Sequence, residues 1–175
     1  MSYLLGLSGS LRGASTNTKL MRAAAVSFGG DFKEGNLRLP LYDGDLEDAS
    51  GIPADVQTLA DAILGARAVI ISTPEYNKSI SGVLKNALDW VSRTKGDPWA
   101  AKPVAIMSAT AGRAGGERAQ TALRQCMQPF RPMILQGAEV LLAASYEAFN
   151  EDGTLVSDIY QKTLDELMAA LTAVA

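Results

Sequence analysis

Four short, near-continuous apolar runs, at residues 3–7, 68–72, 104–107 and 140–143, constrain this chain more than any other feature. Each is bounded by turn residues and lacks the alternation of a half-buried strand, so each reads as a strand covered on both faces, as a parallel sheet requires. Between them lie segments with helical spacing at 18–26, 56–64, 83–91, 116–130 and 159–174. Strand and helix therefore alternate, which predicts right-handed βαβ units and a doubly wound α/β sheet with helices on both faces. A weaker alternation at 36–39 is a candidate for one further strand. The turn-rich stretch 39–45 ends one element, Gly51-Ile52-Pro53 leads into the next helix, and Gly96-Asp97-Pro98 closes the helix that carries Trp90.

The chain has 175 residues, 47% of them hydrophobic, with no repeat, linker or low-complexity tract, so one domain over 1–175 is expected. A net charge of -3 without runs of like charge gives no electrostatic footprint for nucleic acid. No apolar stretch approaches the ~20 residues of a membrane span, and the N-terminus lacks the pattern of a secretory signal. The expectation is a cytoplasmic protein without membrane insertion. There is no histidine and a single cysteine, Cys126. Ser-His-Asp and Cys-His catalysis, histidine metal sites and an internal disulfide are thereby excluded, and no metal site is expected. Cys126, among Leu123, Met127 and Phe130 on a helical face, reads as packing.

In an open parallel sheet, ligands bind beyond the carboxyl ends of the strands. Three loops should gather there. The first, 8–17, turns from strand to helix through Gly9-Ser10-Leu11-Arg12-Gly13-Ala14-Ser15-Thr16-Asn17. Small hydroxyls, backbone amides, the positive end of a helix and Arg12 together suit a phosphate group. The blander reading makes Thr16 or Asn17 a helix cap. The segment lacks a Walker Gly-Lys-Ser/Thr and the dinucleotide G-x-G-x-x-G spacing. The second loop, Thr73-Pro74-Glu75-Tyr76-Asn77-Lys78, offers an aromatic face and an amide to a flat heteroaromatic ring, or is an ordinary turn. The third, 108–116, is rich in small residues whose glycines would permit close backbone approach to a ligand, or is a plain surface connection.

The segments Gly9-Ser10-Leu11-Arg12 with Ser15 and Asn17, Leu39-Pro40-Leu41-Tyr42-Asp43, Thr73-Pro74-Glu75-Tyr76-Asn77 and Leu84-Lys85-Asn86-Ala87-Leu88-Asp89-Trp90 occur in this order. With Lys102-Pro103-Val104 and the stretch from Gly115-Gly116 to Leu123-Arg124-Gln125, they resemble the NADPH-dependent FMN reductase family of flavodoxin-like proteins, in particular its quinone and chromate reductase branch. The resemblance implies a three-layer sandwich around a five-stranded parallel sheet of order 2-1-3-4-5. It implies that Ser10, Arg12, Ser15, Thr16 and Asn17 hold the FMN phosphate, with Leu11 also among the cofactor-binding residues, that Pro74, Glu75, Tyr76 and Asn77 line the ring, and that Ser108 and Thr110 approach it. It also implies a homodimer or homotetramer, with the contact sought along 85–93.

A flavin would let a chain without histidine do redox chemistry, because the cofactor carries the reaction. The resulting expectation is hydride transfer from NADPH or NADH through FMN to a quinone or another small acceptor, in ping-pong order, with Arg113 either solvated or drawing in a nucleotide phosphate. Two other readings stay open: a nonenzymatic FMN protein that shuttles electrons, and a domain that senses a nucleotide without turnover.

Overall fold

A computed structural model describes residues 3–175. The central strands are β1 (Tyr3–Ser8), β3 (Ala66–Thr73) and β4 (Pro103–Ala109), all parallel, with β2 (Phe32–Glu34) on the outer side of β1. The fifth position in the sheet is divided. β5 (Met133–Ile134) pairs with the first residues of β4, and β6 (Val140–Leu142) with the last. The order is therefore β2-β1-β3-β4, with β5 and β6 sharing the far edge, as the family resemblance implied. Residues 68–71, the middle of β3, are entirely buried, which is why that run shows no polar alternation.

The helices α3 (Ala54–Gly65), α4 (Gly82–Val91) and α5 (Glu117–Met127) cover one face of the sheet. Leu59, Ile63, Leu84, Leu88, Leu123 and Met127 pack there against Leu5, Val69, Ile71 and Ile106. On the other face α1 (Thr16–Phe28) and α6 (Asp158–Thr172) bring Leu20, Met21, Ala24, Leu164 and Leu171 against Leu4, Ile70 and Met107. The short helix α2 (Gly44–Ser50) lies over a stretch expected to be only a turn, and buries none of its residues. Trp90 and Trp99 are both buried, at 0% and 3% exposure, so both belong to this chain's core. Cys126 is half-buried against the same core.

One expected strand is corrected. The second strand is Phe32–Glu34, and 36–39 forms none. The last bond toward β1 is donated by the Gly35 amide to the Gly6 carbonyl, 2.9 Å. After it the Arg38 amide turns to Asn36 Oδ1 (2.9 Å) and the Leu39 amide to the Leu37 carbonyl (2.9 Å). Leu37 and Leu39 do point inward, so the alternation marks a loop pinned to the core and not a strand with a ladder partner. The 116–130 helix is also shorter: α5 ends at Met127 and a single 3-10 turn, Gln128–Phe130, finishes the segment.

Candidate functional site

The expected phosphate loop leaves β1 at Gly9, whose amide donates to the Ser72 carbonyl (2.8 Å) and whose carbonyl accepts from Ser81 Oγ (2.6 Å). A Cβ on Gly9 would stand 3.1 Å from Pro74 Cδ. A glycine here lets the first and second loops pack closely without that crowding. The loop closes through the Ser15 amide onto the Arg12 carbonyl (3.1 Å), and Ser15 then caps α1 by accepting from the Thr18 amide (3.3 Å). The cap is thus Ser15, not Thr16 or Asn17. The Lys19 amide bonds the Ser15 carbonyl, which leaves the amides of Thr16 and Asn17 with no acceptor among the described residues. The first turns of α2, α3, α5 and α6 each carry an acidic residue, whereas those of α1 and α4 carry none. The positive end of α1 is left for an anion from outside the helix.

Asn17 sits differently from the phosphate-contacting position expected for it. Its side chain is buried, Nδ2 donates to the Ala109 carbonyl (2.8 Å), and Oδ1 accepts from the Ala109 amide (3.0 Å) and from Ser72 Oγ (2.9 Å). Three of the amide group's four bonding positions are engaged in clamping the start of α1 to the ends of β3 and β4. What Asn17 can still offer outward is its backbone N–H. Thr16 Oγ1 lies 3.0 Å from Ser145 Oγ, tying the same helix start to the segment after β6.

In the second loop, the amides and carbonyls of Tyr76 and Ser79 bond reciprocally at 3.0 and 3.1 Å, with φ of 51° at Asn77 and 67° at Lys78. Positive φ at both central residues is the mark of a type I′ turn. The turn presents Tyr76, about half exposed, at its shoulder. Glu75 turns the other way: Oε2 accepts from the Ala119 amide (3.4 Å) and Oε1 lies 3.8 Å from Arg118. The N-cap of α5, Gly116, has no capping side chain, so Glu75 accepts one of that helix's free amides and adds its charge to that of Glu117 at the positive end.

The third loop carries a correction. Gly115 and Gly116 give close approach to the chain itself rather than to a ligand. A Cβ on Gly115 would fall 2.3 Å from the Leu141 carbonyl oxygen, and one on Gly116 2.7 Å from Ser108 Cβ. Ser108 is fully buried, donating to the Gly115 carbonyl (2.6 Å) and accepting from Gln120 Nε2 (2.9 Å). Its hydroxyl therefore holds α5 to β4 and faces away from the opening, while Thr110 stands at the rim.

These loops enclose one cleft of ≈ 490 Å³ at the carboxyl edge of the sheet, within the size range of small-molecule sites. Ser10, Arg12, Ser15, Thr16, Asn17, Pro74, Glu75, Tyr76 and Thr110 all border it. Leu11, Asn77 and Ser108 do not. Sequence reasoning missed Lys19, Ala109, Ala111, Ser145 and Tyr146, which also line it. Ser145 and Tyr146 follow β6, so the rule that ligands sit beyond strand ends, applied to the last strand, would have found them. Lys19 is one turn into α1, on the side of Thr16 and Ser15.

The donor set suits a flavin mononucleotide. At one end lie two free helix amides, the Ser10 hydroxyl and two cations, Arg12 and Lys19; at the other lies the Tyr76 turn. The one carboxylate bordering the cleft, Glu75, is engaged by α5. No group of three or more potential metal-ligating side chains occurs among the described residues, and no helix among them is long and apolar enough to cross a membrane.

Comparison with known proteins agrees with this chemistry. The sequence profile described as NADPH-dependent FMN reductase matches residues 3–147. An NAD(P)H-dependent FMN reductase of Pseudomonas aeruginosa is 38% identical over 171 residues, covering 96% of this chain and 92% of that protein. A quinone reductase of Escherichia coli is 42% identical over 135 residues, 77% of this chain and 71% of its own. Among solved structures, the flavoenzyme NAD(P)H:acceptor oxidoreductase FerB of Paracoccus denitrificans superposes with a TM-score of 0.89 at 30% identity, covering 99% of this chain and 97% of that one. The chain belongs to the NADPH-dependent FMN reductase family.

Proposed function

We propose that this protein is an FMN-dependent oxidoreductase that passes hydride from NADPH or NADH to quinones or other small acceptors. The observation that carries the reading is the pairing, within one cleft, of a cationic helix start whose amides are free with an aromatic turn a short distance along the same sheet edge. The Thr16 and Asn17 amides, the Ser10 and Ser15 hydroxyls and the Arg12 guanidinium would bind the phosphate. Pro74, Glu75 and Tyr76 would set the wall for the ring, with Thr110 opposite. FMN, when bound, supplies the two-electron redox chemistry. The chain's own part is to bind the phosphate electrostatically, fix the orientation of the ring against a wall locked by the Gly9, Ser81 and Asn17 bonds, and keep water from the side that faces the sheet.

Reductant and acceptor would use the open side of the cleft in turn, a ping-pong order. The same reading takes 1–175 as one domain, since the two hydrophobic clusters lie on opposite faces of a single sheet, and takes the protein to be a cytoplasmic homodimer or homotetramer. The segment 85–93, with the exposed Lys85–Asp89 ion pair, is the proposed subunit contact. Light scattering on the purified protein tests the assembly. The function is tested by titrating purified protein with FMN and then adding NADPH and a quinone. Uptake of about one FMN per chain, followed by many turnovers, is expected. Protein that takes up no FMN refutes the reading, and stoichiometric reduction without turnover assigns a shuttle or sensor instead.

A further inference from the structure

Thr16 and Ser145 stand 129 positions apart in the chain, and their hydroxyls meet at 3.0 Å on the border of the cofactor cleft. Neither hydroxyl has another partner among the described residues. That sets Thr16 apart from the other helical threonines. Thr58, Thr121, Thr163 and Thr172 each return the hydroxyl proton to the carbonyl four residues back, at 2.9, 3.1, 2.9 and 2.9 Å, and Thr18 gives its own to Ser8 Oγ at 2.8 Å. Thr16 is the first residue of α1, and the Arg12 carbonyl four residues back already accepts from the Ser15 amide. Its hydroxyl is therefore turned off its own helix and onto Ser145.

Ser145 is delivered to that point by a strained turn. After β6, Ala144 takes φ 43° and ψ 43°, the left-handed region that is costly for any residue with a Cβ. The turn lets the Ser145 amide donate to the Thr110 carbonyl (2.9 Å), while the Thr110 amide donates to the Leu142 carbonyl (3.0 Å). The serine is thus fixed at 5% exposure. Strain that ends on a buried hydroxyl beside a cleft points to a use for that hydroxyl. The chemistry of the phosphate says which. A phosphate dianion only accepts, so a hydroxyl beside it must donate. The pair has two protons, one consumed in the bond between the hydroxyls and one left over. Thr16 is the more exposed partner, with its own free amide alongside, so the outward proton is its own and the inner one comes from Ser145. Resting on the function proposed above, we infer that Ser145 is a positioning residue for FMN: its hydroxyl donates to Thr16 Oγ1 and so turns the Thr16 proton toward the FMN phosphate. Without Ser145 the Thr16 hydroxyl loses its fixed direction and the polarisation that linked hydrogen bonds supply.

The test titrates FMN and riboflavin, which lacks the phosphate, into the unaltered protein, Ser145→Ala, Thr16→Val and the double variant, with flavin fluorescence as the readout. Thr16→Val should weaken FMN binding about tenfold and Ser145→Ala about fivefold, because a charge-assisted bond is lost in the first and loosened in the second. Riboflavin affinity should change by about twofold at most in either. In the double variant Ser145→Ala should add nothing to the loss from Thr16→Val, since it acts through that hydroxyl. Equal weakening of FMN and riboflavin by Ser145→Ala overturns the inference, because a purely structural role would do that. Unchanged FMN affinity in Ser145→Ala overturns it too, as do losses that multiply in the double variant, which would mean that each hydroxyl meets the ligand separately. If Ser145→Ala fails to fold, Ser145→Cys, with a weaker donor of similar size, takes its place in the same cycle with the same criteria. Unaltered protein that takes up no FMN refutes the function itself, whereas FMN that is bound and turned over beside an additive cycle refutes only the role of Ser145.

Discussion

Asn17 separates a fold-holding role from a ligand-holding one, because each predicts a different loss when its side chain is removed. Asn17→Ala deletes three buried hydrogen bonds, to both backbone groups of Ala109 and to Ser72 Oγ. At about 1 kcal/mol net for each bond, and more for groups left buried without a partner, the loss should be about 3–5 kcal/mol. That is a large fraction of the roughly 5–15 kcal/mol that stabilises a domain. Ser72→Ala removes only one of the three and leaves Oδ1 bonded to Ala109, so it should cost about 1 kcal/mol. The assay is urea unfolding of both variants without FMN, beside an FMN titration of each. Asn17→Ala should lower the midpoint severalfold more than Ser72→Ala does, and should weaken FMN binding only through the displaced helix start. If cofactor-free Asn17→Ala stays within about 1 kcal/mol of the unaltered protein while FMN affinity collapses, the clamp is refuted and Asn17 acts on the ligand directly.

Arg12 should behave in the opposite way. It is exposed and its guanidinium bonds nothing among the described residues, so Arg12→Ala should leave the urea midpoint unchanged and weaken FMN binding by about tenfold or more. Gly115→Ala should be among the most damaging single substitutions, at about 3 kcal/mol or more, because a Cβ would strike the Leu141 backbone and φ is 60°. Gly13→Ala, with nothing within 4 Å, should be close to neutral in the same thermal melt. Glu75→Ala should remove the acceptor of the Ala119 amide, and one of the two carboxylates at the start of α5, at a cost of about 1 kcal/mol, seen as faster amide exchange over 117–120. Finally, the Arg93 hydrogen bond, with that of Tyr42, holds the Glu47 carboxyl below its usual value of 4.5. A carboxyl depressed on folding stabilises above its unfolded value and stops doing so as pH falls through the folded one. The tie between α2 and Arg93 should therefore loosen in the acid range below 4.5, visible as falling amide protection factors in α2, and Arg93→Gln should abolish that pH step.

The sequence by itself determined the layered α/β architecture, the three central strands, five of the six helices and the position of the cleft. Those are local signals: continuous apolar runs mark strands buried on both faces, and glycine, proline and hydroxyl residues mark where they turn. Tertiary structure alone decided that the fifth strand is divided: the run at 140–143 already marked β6, but β5 is two residues long and exists only where the start of β4 offers it a partner. It also decided what each polar residue of the site does. Asn17 and Ser108 read as ligand contacts in the sequence, yet Asn17 spends its amide on Ala109, 92 positions away, and Ser108 its hydroxyl on Gly115 and Gln120. A buried polar group must bond whatever the fold brings within about 3 Å of it, and that neighbour is set by how strands and helices stack, not by the residues beside it in the chain.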